Sequence, residues 1–111
     1  MLLPLFMGSI SAPKESEKVP RELCEIFGYV YLEQDPRRGA DYTYYVEESE
    51  FSSDLVVFWQ ENPLYASSSG LWYETKDPFE AHFTLRRTKK RSEADFIVYF
   101  TEYEYRAGCS Q

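Results

Sequence analysis

Ser92-Glu93-Ala94-Asp95-Phe96-Ile97-Val98-Tyr99-Phe100-Thr101 places a small residue and an acid ahead of five apolar or aromatic residues. The apolar run is too short for a helix and is rich in the residue types that favour strands. At about 3.3 Å per residue, five residues cover roughly 17 Å, an ordinary strand. Phe96, Val98 and Phe100 share one face, and Ile97 and Tyr99 share the other. Both faces are apolar, so both are expected to be largely buried.

The same phrase recurs on either side. Arg38-Gly39-Ala40-Asp41, Ser52-Ser53-Asp54 and Glu80-Ala81-His82 precede the apolar runs at 42–46, 55–59 and 83–85. Ala66 and Ala107 hold equivalent places, so the small residues are Ala40, Ser53, Ala66, Ala81, Ala94 and Ala107. The steps between them are 13, 13, 15, 13 and 13 residues. One step back from Ala40 reaches Phe27, and Gly28-Tyr29-Val30-Tyr31 matches Asp41-Tyr42-Thr43-Tyr44. Six units therefore follow one another, with runs also at 29–32, 71–73 and 96–100, and Ala107 opens a truncated seventh. The irregular step contains Ser67-Ser68-Ser69-Gly70, where a loop accommodates two extra residues most easily. Asp35-Pro36, Glu47-Glu48-Ser49, Asn62-Pro63 and Asp77-Pro78 break the chain between runs.

Leu55, Val57 and Trp59 alternate with Val56 and Phe58, again with two apolar faces. Phe83 and Leu85 alternate with Thr84 and Arg86, which predicts an edge strand or one with a wet face. A 13-residue unit holds one strand and one connection. It cannot bury itself, so units must pair. A small β-solenoid, a β-prism and a more entangled arrangement all satisfy that demand. The regular small residue fits a place where another stretch of backbone passes closely. Ala40, Ala81 and Ala94 are therefore expected to be buried at crossings.

Ser92 to Thr101, followed by Tyr105-Arg106-Ala107-Gly108, resembles the repeat of the septoil-knot family, as does the Trp of a central unit, Trp72. That family comprises small, mostly bacterial proteins with a domain of unknown function, and the resemblance covers about residues 28–109. Ser53 stands in place of Ala, Ser67 and His82 in place of Asp, and Cys109 in place of an aromatic residue. The resemblance implies a small β-rich chain wound as a deep torus knot. It implies no activity, because the family has none established.

The chain has 111 residues, enough for one domain and too few for two. Its first seven residues, MLLPLFM, are apolar but short and interrupted by Pro4, with no basic start, unlike a signal peptide. Residues 1–18 are expected to be a flexible tail. Residues 19–27 are expected to form a short helix, with Leu23, Ile26 and Phe27 as its apolar stripe covering an end or face of the domain. Residues 28–111 form the single β-repeat domain, so the fold class is all-β with one short N-terminal helix. No apolar run approaches the roughly 20 residues of a membrane span. Two cysteines without a CxxC pair, Cys24 and Cys109, read as free thiols in a reducing cytoplasm, with a single bridge joining the chain ends as the alternative.

The polar residues that recur do so with the fold. Asp41, Asp54 and Asp95 could converge on a cation, but at least 13 residues separate them, whereas a calcium loop clusters its acids. Acceptance of backbone N–H groups where the chain turns into a strand fits the recurrence better. Arg86, Arg87, Lys89, Lys90 and Arg91 form either an anion or nucleic-acid patch or a solvated turn. A net charge of −7 opposes steering toward nucleic acid. His82, the lone histidine, has no nucleophile motif near it and reads as structural or surface. The ten Tyr and two Trp could stack on sugars or bases, though aromatics at strand spacing are mostly core. Cys109 would be reactive only if exposed and of lowered pKa. No catalytic residue, metal site or cofactor is expected. The sequence thus points to a non-enzymatic structural or interaction module with a protein partner rather than nucleic acid. The alternative is an anion or nucleic-acid binder acting through the basic turn.

Overall fold

The apolar runs become strands in the computed structural model, which describes residues 21–109. They are β1 (Gly28–Leu32), β2 (Tyr42–Val46), β3 (Leu55–Trp59), β4 (Leu71–Glu74), β5 (Phe83–Arg87) and β6 (Phe96–Phe100), and β7 (Gly108–Cys109) follows. The expected tail at 1–18 and the first residues of the expected helix lie outside the described residues. The strand order is β4-β1-β5-β2-β6-β3, all parallel, and a direct β3–β4 pairing closes the six into a barrel. β7 pairs antiparallel with the beginning of β3. β5 lies between β1 and β2 and is no edge strand. The face expected to be wet, that of Thr84 and Arg86, is half-buried, while Leu85 on the opposite face is buried.

Consecutive strands mostly do not pair. Each pairs with those three and four places further along: β1 with β4 and β5, β2 with β5 and β6, β3 with β6 and β7. Parallel crossovers usually need a dozen or more residues, yet residues 47–54 suffice between β2 and β3. The register explains this. Val98 faces both Val46, the last residue of β2, and Leu55, the first of β3. Leu85 likewise faces Leu32 and Tyr42, Tyr44 faces Arg87 and Phe96, and Val30 faces Glu74 and Phe83. A strand therefore begins at the level where its predecessor ended, two places further round. The chain need not return along the barrel. It only steps over the intervening strand, two interstrand spacings or about 10 Å.

Each such connection is an arch with both feet on the strand it crosses. Glu47 N–H donates to Val98 O (2.8 Å) and Asp54 N–H to Ile97 O (2.8 Å), so residues 47–54 straddle β6. Residues 33–41 straddle β5 through Glu33 and Asp41, and 75–82 straddle β1 through Thr75 and His82. Residues 88–95 straddle β2 through Thr88 and Asp95. The connection from β6 to β7 passes over β3, with Thr101 N–H on Val57 O (2.9 Å) and Gly108 paired with Val56. Neighbouring carbonyls of a strand point to opposite sides, so two successive ones receive both feet.

Alternate strand residues fill the interior. Val30, Tyr44, Leu55, Val57, Trp72, Leu85, Phe96 and Val98 form the buried core, with Trp59 and Phe100 packed against it. Trp72 meets Tyr44 and Trp59 edge-on, with ring centroids 6.1 and 5.5 Å away. The segment before β1 closes one end of the barrel with Leu23 and Ile26, and Trp72 Nε1–H donates to Ile26 O (2.8 Å). Of the helix expected over 19–27, the described part holds a short 3-10 helix at Arg21–Glu25, with a kink at Glu22. So short a stretch has little helical stability of its own, and docking decides its shape.

Two further expectations are corrected. Cys24 and Cys109 are bridged, with Cα atoms 5.3 Å apart, because β7 brings the chain end beside the N-terminal segment. They are not free thiols. Ser53, Ala66 and Ala94 are buried, but Ala40, Ala81 and Ala107 are only half-buried. The small residue marks the end of an arch rather than a fixed depth. Its N–H closes a turn onto the carbonyl three residues earlier: Ser53 on Glu50, Ala66 on Pro63, Ala81 on Pro78, Ala94 on Arg91 and Ala107 on Glu104. Ala94 is 3% exposed, so Ala94→Leu is expected to cost about 1–3 kcal/mol by overpacking. Exposed Lys89→Leu should change stability by no more than about 0.5 kcal/mol. Chemical denaturation of the two variants measures the difference.

Candidate functional site

The recurring acids act on the crossed strands, not on the local turn. Asp54 Oδ2 accepts the N–H of Ile97 (2.9 Å), whose carbonyl accepts the N–H of Asp54. Asp41 makes the same reciprocal clasp on Thr84 (2.8 Å), and Asp95 on Thr43 (2.8 Å). His82, in the same slot, uses Nδ1 to accept Tyr29 N–H (3.1 Å). The arch lifts the chain off the barrel just where the crossed strand needs one more acceptor, and the side chain supplies it. Three carboxylates on three separate crossings do not converge on one ion. Asp54→Ala would strand the Ile97 N–H and should cost about 1–3 kcal/mol. Asp54→Asn keeps an acceptor and should cost less, as unfolding midpoints of the two would show.

The basic turn is drawn apart in a similar way. Arg86 donates to Asp35 O (2.7 Å) and to Arg38 O, pinning the first arch. Arg91 pairs with Glu47 and donates to Ser52 O (3.3 Å), pinning the second. Lys90 lies 3.8 Å from Glu93. Arg87 and Lys89 are exposed. Arg106 of the last arch pairs with Glu50 of the second at 2.5 Å, which raises the guanidinium pKa. Burial pushes the Tyr44 hydroxyl up, with the Arg87 charge opposing it.

Three of the arches, and the connection from β3 to β4, each also present an apolar residue to solvent among their charged ones. Glu50–Ser52, Pro63–Tyr65 and Glu104–Arg106 are 3-10 turns, and Pro78-Phe79-Glu80 is a turn of similar place. Their middle residues are Phe51, Leu64, Tyr105 and Phe79, exposed to 95%, 80%, 80% and 97%. A groove of about 630 Å³ runs beside the last arch, lined in part by Ser68, Leu71, Glu102, Tyr103, Tyr105 and Ala107. Among the described residues, no cluster of His, Cys, Asp and Glu could hold a metal ion. No helix there is long and apolar enough to cross a membrane.

A family model described as the 7(1) septoil knot domain matches residues 23–110. The chain belongs to the septoil knot domain family. No curated protein and no solved structure matches it. In this septoil knot domain, sequence reasoning located the clasps by their period but missed the exposed arch tips. Their signal was present, since an apolar residue stands two places before Ser53, Ala66, Ala81 and Ala107. It also missed Gly28 and Gly70. Gly28 (φ +100°) lies under the clasp of His82, and a Cβ there would sit 2.5 Å from His82 Nδ1.

Proposed function

We propose that this septoil knot domain is a non-enzymatic interaction module that meets a protein partner through its arch tips. The observation that carries this reading is the exposure of Phe51, Leu64, Phe79 and Tyr105 at one recurring place while the core beneath is filled. A contiguous apolar patch marks an interaction surface, and a partner spanning several connections would gather these side chains into one. The non-enzymatic part of the reading is supported by the use of Asp41, Asp54, His82 and Asp95 as backbone clasps. A protein partner is favoured over nucleic acid because Arg86 and Arg91 are engaged within the fold and the net charge is −7.

Five connections that each pass over the strand between the two they join support tandem units wound as a torus knot, rare as knots are. The Cys24–Cys109 bridge favours an oxidising compartment over the cytoplasm, which rested on free thiols. A photo-crosslinking residue at Phe79, compared with one at exposed Glu61, tests the interaction reading in cells. A discrete protein adduct from position 79 and none from 61 is the expected result. Equal labelling from both, or none, would contradict it.

A further inference from the structure

We propose that the groove beside the last arch receives an arginine- or lysine-bearing segment of a protein partner. The proposal rests on the interaction reading and names the chemistry that one part of the surface selects. The floor is apolar, with Leu71 buried and Ala107 beside it, and the volume of about 630 Å³ falls within the range of binding clefts. Tyr103 and Tyr105 form one wall. Their ring centroids are 5.9 Å apart with planes 46° to each other, and both side chains are exposed. Two such rings offer faces to a cation within the roughly 6 Å at which its charge is attracted by the ring.

Charge decides the occupant. Glu102 and Glu104 alternate with the two tyrosines and line the same groove. Both are exposed, and neither carboxylate takes part in an ion pair among the described residues. Arg106, on the same arch, pairs with Glu50 and reaches the Tyr105 side chain, but forms no ion pair with Glu102 or Glu104. A phosphate or a fatty acid would be repelled, whereas a guanidinium can stack on a tyrosine and meet a carboxylate at once.

The test follows backbone amide signals during titration with a blocked Gly-Arg-Gly-Arg-Gly peptide, with Gly-Gln-Gly-Gln-Gly as the neutral comparison. Saturable shifts confined to residues 68–71 and 102–107 are expected with the arginine peptide only. Glu102→Gln/Glu104→Gln should weaken binding roughly fivefold or more, and Tyr103→Leu/Tyr105→Leu should do likewise, with the remaining amide signals unmoved. Glu48→Gln/Glu61→Gln removes the same charge elsewhere and should change affinity less than twofold. Equal weakening by the two glutamate pairs, shifts spread over the whole acidic surface, or no saturation would each overturn the proposal. Crosslinking at Phe79, outside the groove, separates the two claims. An adduct at 79 with no peptide binding removes the groove alone, and peptide binding with no adduct removes the arch-tip reading.

Discussion

Gly70→Ala is expected to destabilise the domain by about 3–5 kcal/mol, a large share of the roughly 5–15 kcal/mol available to a small domain. Gly70 stands where the barrel closes. The beginning of β3 pairs with β7 and its end pairs with β4, and Gly70 leads into β4 between them. Its φ is +78°, a conformation that costs an L-residue about 1–2 kcal/mol. A Cβ there would lie 2.3 Å from Val56 O and 2.5 Å from Gly108 N. Both contacts are backbone, so relief requires β3 and β7 to part, and Phe58 N–H would lose its bond to Gly70 O (2.9 Å). Gly39→Ala is the comparison, because nothing lies within 4 Å of its Cβ position. That change should be neutral or gain a few tenths of a kcal/mol by restricting the unfolded chain. Urea midpoints measure both, and equal midpoints would contradict the closure described.

Cys24→Ser/Cys109→Ser is expected to cost about 4 kcal/mol. The two cysteines are 85 residues apart in sequence, so the bridge closes nearly the whole described chain into one ring. A loop of that length removes about 4–5 kcal/mol of chain entropy from the unfolded state on the loop-closure relation. The bridge also joins β7 to the segment that plugs the barrel with Leu23 and Ile26. Thermal melts of the wild-type protein with and without reductant should reproduce the loss seen in the double variant. A melting temperature indifferent to reductant would show that the ring carries no stability. If the proposed knot is present, the bridge also seals it, and the oxidised chain should stay knotted even when denatured.

The strands were legible because their cause is local. Aromatic and β-branched runs bounded by Pro, Asn and Asp mark β1 to β6 within one or two residues. The burial of both faces of β3 and β6 was equally readable, since Val56 and Ile97 face outward yet are covered. The clasp of Asp54 on Ile97 could be read in kind but not in partner. Its period shows that a turn recurs, whereas the N–H it satisfies lies 43 residues away. Strand order was illegible for the same reason, because a fixed step of 13 is compatible with pairing to the next unit or to the fourth. The Cys24–Cys109 bridge follows from that order and could not precede it. Ala40 and Ala94 occupy the same place in the period but differ in burial, so spacing fixed where an arch ends and not how deeply.

The interlaced path is the centre of this account, and extension of a single molecule tests it most directly. The reduced chain, held by handles at its two ends, is stretched until the barrel has unfolded. An unknotted chain reaches up to about 3.6 Å per residue. The proposed knot predicts a final length that falls short by the stretch held in it when tightened, repeatedly and by the same amount. Extension to the full length of the chain would contradict it.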